Sequence, residues 1–185
     1  MLDVSDAELV TRAQGGEVEA IGQLYDQHRE SIFRYLWLRL GDQPLAEDLT
    51  ADVFMRMLDA LPHYQSLGIP FRAWLYRIAH NVLIDHFRKN HNRAPVPLEV
   101  LEDHDAGDDP SAAVEHKLLT ERLNEALSQL DQNQREVVVL RFLMGLSLQE
   151  TALAMGKSEA AIKSLQHRGL SALRRTFHSV EVQVA

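Results

Sequence analysis

Between Ser147 and Arg175 the chain gathers residues suited to holding phosphates and reading base edges. Glu159, Lys163, Ser164, Gln166, His167 and Arg168 are available on one side of a helix, with Ile162, Leu165, Leu170 and Leu173 anchoring the other. Ser147 and Glu150 have capping-box spacing, Ala152 is small where two helices must cross, Gly156 permits a turn, and Ser158 caps the second helix. This is a helix-turn-helix pattern. A recognition helix reads bases with its N-terminal residues and uses the rest for phosphates. Base-edge or near-base contact is therefore expected of Ser158, Glu159, Lys163 and Ser164, and phosphate contact of Arg168, Arg174 and Arg175. An ordinary corner of two helices with a solvated basic face fits the same residues.

A second cationic stretch starts at Pro70, a residue suited to a first helical turn. Phe71, Trp74, Leu75, Ile78 and Val82 make an apolar face. Arg72, Arg77, His80, Asn81, Arg88 and Lys89 are expected on the exposed one. Aromatic rings beside cations suit unstacked bases, because every base has a face to stack on. Phe71 and Trp74 read as core, which leaves the preceding loop, Tyr64, Gln65, Ser66, Leu67 and Gly68, as the better holder of a single-stranded base.

Catalytic chemistry finds little support. The chain has no cysteine, its nine histidines are scattered, and His80, His86 and His91 lack the spacing of a helical metal pair. No glycine-rich phosphate loop or nucleophile elbow occurs. No catalytic residue, metal or cofactor is expected. The absence of cysteine suits a reducing cytoplasm, which is the expected location. No apolar run approaches the ~20 residues of a membrane span, so no membrane contact is expected.

The elements that must position these side chains read as helices. Ile21, Leu24, Tyr25, Ile32 and Leu36 recur at helical spacing up to Gly41, and Leu45, Leu49, Val53, Met57 and Leu61 do so up to Pro62, with Phe54 and Leu58 widening the stripe. From about Arg93 to Pro110 periodicity fails and prolines and acids accumulate, as in a flexible linker. Charge follows the same division. Residues 1–62 hold 5 Lys and Arg against 12 acids, 63–93 hold 5 against 1, 94–116 hold 0 against 7, and 117–185 hold 9 against 7. Two basic patches thus lie in a chain of net charge −8, which should bind DNA poorly unaided. The expected fold class is all-α: two small helical domains joined by an acidic flexible linker, the second containing the helix-turn-helix. The boundaries are 1–92, 93–111 and 112–178, with a tail at 179–185. The final helix should run to about Phe177. Beyond it Val180–Val184 alternates like a strand and is expected to be disordered or docked on a partner.

Phe71-Arg72-Ala73-Trp74-Leu75-Tyr76-Arg77-Ile78-Ala79-His80-Asn81 with Asp85-His86-Phe87-Arg88 closely resembles the second conserved region of sigma-70-family factors. Leu45 to Phe54 looks like the polymerase-binding helix of the extracytoplasmic-function (ECF) subgroup. Gln134-Arg135-Glu136-Val137 through Arg141, then Gly145-Leu146-Ser147 and Ile162-Lys163-Ser164, resemble that subgroup's fourth region. The resemblance covers roughly 5–90 and 112–177. It implies an alternative sigma factor that binds core RNA polymerase through the β′ clamp and β flap and recognises and melts promoter DNA. The loop and helix from Tyr64 to Lys89 would serve the −10 element, and 158–175, including His167, the −35 element. Asp48, Asp52, Val53 and Phe54 would contact polymerase. The implied partners are core RNA polymerase, promoter DNA and an anti-sigma factor. Where relatives carry Gln-Glu before the phenylalanine, this chain has Asp52-Val53, a shortened and shifted acid. The acidic linker would act as a spacer or as a nucleic-acid mimic inside a basic channel.

Two other readings compete. A self-sufficient dimeric helix-turn-helix regulator accounts for 147–175 but leaves 45–89 unexplained, and it predicts an operator with two half-sites. A pure interaction protein using apolar helix faces does not need Lys163, Arg168, Arg174 and Arg175 clustered.

Overall fold

The computed structural model describes residues 5–66, 68–89, 123 and 125–183, with 178–183 described by backbone alone. Among these residues the secondary structure is helical throughout. The expected linker at 93–111, the boundaries of the flanking domains beside it, and Leu67 lie outside the described residues.

Helix α1 spans Asp6–Gln14. Ser5 caps it by accepting from the Glu8 amide at 3.4 Å. Helix α2 spans Val18–Leu40 and ends where Gly41 takes φ 66°, a left-handed cap that costs glycine no steric penalty. Helix α3 spans Gln43–Ala60, is capped by Asp42 on the Leu45 amide, and passes into a 3-10 turn at Leu61–His63. Helix α4 spans Phe71–Lys89. These four pack as a bundle around Leu9, Leu24, Ile32, Leu36, Val53, Met57, Leu75 and Leu83, all essentially inaccessible to solvent. Such leucines each cost about 2–5 kcal/mol when truncated to alanine.

Among the described residues of the second unit, 123 and 125–128 come first and are helical. Helix α5, Gln132–Val138, is capped by Asp131 on the Gln134 amide. It runs directly into a π turn at Val139–Leu143 that closes with the Met144 amide on the Val139 carbonyl. Helix α6 spans Leu148–Met155 with a complete capping box of Ser147 and Glu150. Helix α7 spans Glu159–Gln183. The expected end of the last helix near Phe177, with a disordered or docked tail beyond it, is corrected, because α7 continues to Gln183. No proline or glycine interrupts it after Gly169, and adding a residue to an existing helix costs far less than nucleating a new element. Leu170, expected to anchor α7, is instead exposed. The close approach belongs to Gly169, where a Cβ would sit 3.2 Å from Val138 Cγ2.

The two units share one core. Val137, Leu140, Leu146, Ala152, Met155, Ile162 and Leu165 join the residues of the bundle in a single cluster, with α6 packed along α4. A smaller cluster of Ala126, Leu127, Leu130, Val138 and Leu173 closes the far side of the second unit.

Candidate nucleic-acid interface

The geometry of the second basic patch depends on how α6 and α7 are joined. Ser147 accepts from the Glu150 amide at 3.1 Å, and the Glu150 carboxylate accepts from the Ser147 amide at 2.6 Å. Gly156 turns the chain at φ 61°. Ser158 then caps α7, its hydroxyl accepting from the Ala161 amide at 3.2 Å. Capping uses the Ser158 oxygen and leaves its proton for donation to a ligand. Ile162 and Leu165 fix the rotation of α7 about its axis by burial. Lys163, Ser164, His167 and Arg168 consequently line one open concavity. Eleven residues are close to three helical turns, so Arg174 repeats the direction of Lys163 about 16 Å further along; seven are close to two turns, so Arg175 repeats that of Arg168. Glu159, Arg174 and Arg175 are exposed. Gln166, expected to be available, is instead partly buried, where it accepts from Arg141 Nε at 3.1 Å. Arg141 also donates to the Leu146 carbonyl and so straps α7 to the turn before α6, a role its place in the sequence did not reveal.

On α4, Arg77, Asn81, Arg88 and Lys89 are exposed as expected, with Arg88 donating to Asp85 at 2.9 Å. Arg72 and His80 are not free on that face. Arg72 donates to both oxygens of Glu150, at 3.3 and 3.1 Å, and to the Gly145 carbonyl at 3.2 Å. The His80 side chain is only 13% exposed, and its Nδ1 lies 3.2 Å from Glu136. Periodicity placed them on a polar face correctly but could not show that the second unit covers part of it.

The loop before α4 differs in one residue that matters. Tyr64 packs edge-on against Phe71 and tilted against Trp74, with ring centroids 5.7 and 4.6 Å away, and its hydroxyl donates to the Ile69 carbonyl at 3.0 Å. Gln14 donates to the Tyr64 carbonyl at 2.7 Å. Tyr64 is therefore a strut of the loop, with its ring already occupied, while Gln65, Ser66 and Gly68 are exposed at its tip. Gly68 has φ 78°, and the Ile69 amide donates to the Ser66 carbonyl, which closes a tight turn.

On α3, Asp48 and Asp52 project into solvent, but Val53 and Phe54 are buried and correct the expectation that they present themselves to a partner. Phe54 packs edge-on against Tyr25 at 4.7 Å and forms the floor of an apolar groove lined by Val18, Ile21, Tyr25 and Leu58. Met55, 61% exposed, was missed because the buried stripe of α3 masked a second apolar edge.

Burial alone would raise the Glu136 carboxyl. Arg39, the hydrogen bonds from His80 and Tyr35 and the charge of His80 outweigh it and hold the group down at about 2. The Tyr35 hydroxyl is pushed well up, first by burial and then by the adjacent Glu136, so it stays a neutral donor. Among the described residues, no group of three or more His, Cys, Asp or Glu is arranged to hold a metal ion, and no helix is long and apolar enough to cross a membrane.

Comparison with known proteins matches residues 24–93 to sigma-70 region 2 and residues 126–175 to sigma-70 region 4. The chain is 43% identical over 169 residues to the ECF RNA polymerase sigma factor BldN of Streptomyces coelicolor, covering 91% of this chain and 64% of that factor's length. It is 34% identical over 173 residues to the ECF RNA polymerase sigma factor SigD of Mycobacterium tuberculosis, covering 90% of this chain and 81% of that one. Among solved structures, CnrH in complex with the cytosolic domain of CnrY aligns with a TM-score of 0.71 at 26% identity, over 94% of this chain and 97% of the other. The fold is also that of RpoE from Bartonella quintana, solved with the anti-sigma factor NepR, at a TM-score of 0.66 and 22% identity, over 85% and 96% of the two chains.

Proposed function

The chain belongs to the ECF group of the sigma-70 family, and on that premise we propose that it binds core RNA polymerase, directs it to promoters and helps to melt the DNA there. Sigma factors supply recognition and not catalysis, so no reaction is assigned to the chain. The observation that carries the reading is the pairing of two cationic helices in one chain. The helix-turn-helix exposes Lys163, Ser164, His167, Arg168, Arg174 and Arg175, and α4 exposes Arg77, Asn81, Arg88 and Lys89. The first set suits the major groove of a −35 element. The second, with the loop tip at Gln65, Ser66 and Gly68, suits the separated strands of a −10 element.

The polymerase-docking residues in this reading are Asp48 and Asp52 with the exposed apolar edge of Met55 and Leu58. Val53 and Phe54 hold that edge in place from beneath. The net charge of −8 makes such docking necessary, since a chain with so few free cations gains little from counterion release alone. The two domains and the acidic linker at 93–111 keep their roles as recognition units and spacer. CnrH was solved with the cytosolic domain of CnrY. By analogy, a protein antagonist of the anti-sigma kind belongs to the reading, as does a cytoplasmic location beside polymerase and DNA.

The test is size-exclusion co-elution of the purified chain with bacterial core polymerase, followed by permanganate footprinting of promoter DNA. A stoichiometric complex that makes −10 thymines reactive supports the whole reading. A complex without that reactivity removes melting alone. No complex, with tight salt-sensitive binding of duplex DNA by the free chain, would replace the reading with a self-sufficient dimeric regulator.

A further inference from the structure

Helix α1, Asp6–Gln14, lies ahead of the residues 24–93 that match sigma-70 region 2, yet it holds both ends of the loop before α4. At its last residue, Gln14 Nε2 donates to the Leu61 carbonyl at 2.9 Å and to the Tyr64 carbonyl at 2.7 Å, 47 and 50 positions away. An amide nitrogen carries two protons, so one side chain serves both oxygens. These oxygens bracket the 3-10 turn at Leu61–His63, and carbonyls at the end of a helix lack amide partners of their own. At the first residue of α1, Asp6 Oδ1 lies 2.8 Å from His28 Nε2. The His28 ring packs in turn on Phe71, the first residue of α4, with centroids 5.4 Å apart.

Helix α1 is itself anchored. Leu9 and Ala13 are buried, and Arg12 donates to both Glu17 oxygens across the Gly15-Gly16 turn, its Nε at 2.9 Å. A donor on a fixed helix holds its acceptor more closely than one on a loop would. The consequence falls on Gln65. The Tyr64 carbonyl belongs to the planar peptide that joins Tyr64 to Gln65. Holding that oxygen sets the plane, with Tyr64 at ψ 131°, and so sets the direction in which Gln65 and Ser66 leave the base of the loop.

We propose that Gln14 is a positioning residue for base recognition. Through the Leu61 and Tyr64 carbonyls it aims the loop tip, Gln65, Ser66 and Gly68, and so sharpens sequence preference at the −10 element while acting only through the loop backbone. This rests on the reading that the loop faces that element. Gln14 carries no charge, so its effect is on which base is held and not on phosphate attraction. One hydrogen bond between neutral groups shifts an equilibrium about fivefold.

The test uses holoenzyme assembled from the full chain and bacterial core polymerase. It selects from a duplex DNA library of randomised sequence, and sequencing the retained duplexes gives the base preference at each position. Gln14 is exposed, and Gln14→Met keeps its length and helix propensity while removing both donors. That variant should lower the preference for the favoured −10 bases about fivefold and speed amide hydrogen exchange over residues 64–69. Its −35 preference, its circular dichroism and its co-elution with core polymerase should match the wild-type chain. Gln14→Lys returns donors to the site and should restore the −10 preference. Its added charge attracts phosphate whatever the sequence, so charge alone does not imitate that rescue. An unchanged −10 preference in Gln14→Met, an even loss at both elements, or a loss that lysine leaves unrepaired overturns the proposal. A wild-type selection without any −10 preference would remove the underlying reading of the loop instead, an outcome visible before any variant is made.

Discussion

Glu136 and Arg39 stand 97 positions apart in the chain, yet Arg39 Nε donates to the Glu136 carboxylate at 2.7 Å, with both side chains 2% exposed. Their pairing joins α5 of the second unit to the last turn of α2. Removing one partner of such a pair costs about 3–5 kcal/mol, whereas replacing both with apolar groups of similar volume is often neutral or stabilising. Arg39→Met should therefore lower the free energy of unfolding by that amount in urea titration. Adding Glu136→Leu should restore much of the loss. A double variant as unstable as the two single losses summed would show that the pair is not coupled.

Acid should reveal the same pair. The Glu136 carboxyl is held below its unfolded range, so its contribution to stability is complete above about pH 4.5 and is lost as pH falls toward about 2. The sign is fixed, because protonation becomes tighter in the unfolded chain than in the folded one. The stability difference between the wild-type chain and Glu136→Gln should hold steady from pH 7 to 5 and shrink across the lower window. A difference that grew on acidification would contradict the assigned direction.

Base reading and phosphate binding separate on α7. Lys163→Ala should reduce −35-dependent initiation by about 1–3 kcal/mol, roughly 5- to 150-fold, and relax sequence preference there. Arg174→Ala should weaken promoter binding evenly across sequences and reduce the salt slope by about one. Equal promoter output from both variants and the wild type in a reconstituted transcription assay would remove α7 as the recognition helix.

On α3 the exposed acid and its buried neighbour should fail differently. Asp52→Lys, at a solvent-facing position, should weaken co-elution with core polymerase and leave thermal unfolding within about 0.5 kcal/mol of wild type. Val53→Ala, inside the core, should cost about 2 kcal/mol of stability and affect polymerase binding only through folding. Reversed outcomes would mean that α3 docks by the opposite face.

A left-handed glycine supports the whole helix-turn-helix. Gly156 holds φ 61° between α6 and α7, where a Cβ meets no neighbour but the backbone itself is unfavourable. Gly156→Ala should cost about 1–2 kcal/mol in thermal unfolding through backbone strain alone. A neutral result would mean that the turn readily takes another conformation.

Much of this was legible from residue order. Helix existence, the caps at Ser147 and Ser158, the helix end at Gly41 and the turn at Gly156 are local matters, settled by side chains and backbone within a few positions of one another. The exposed row from Lys163 to Arg175 was equally readable, because the rotation of a helix is set by where its own apolar residues fall. Tyr64, Val53, Phe54 and Gln166 are less exposed than expected for one shared reason. Residue type shows what a side chain can bind, not which neighbour from another helix already occupies it.

The amino-acid order by itself determined an all-helical chain with two cationic patches, a helix-turn-helix and the motifs of its family, since each depends on periodicity, caps and charge along one stretch. Only the tertiary structure decided that His80 is covered and Arg72 is paired, that Glu136 and Glu150 are their partners, and that the two units share a core. Those outcomes depend on which faces meet across 56 to 97 residues of chain. A free charge and a paired one look identical until the fold brings the partner within reach.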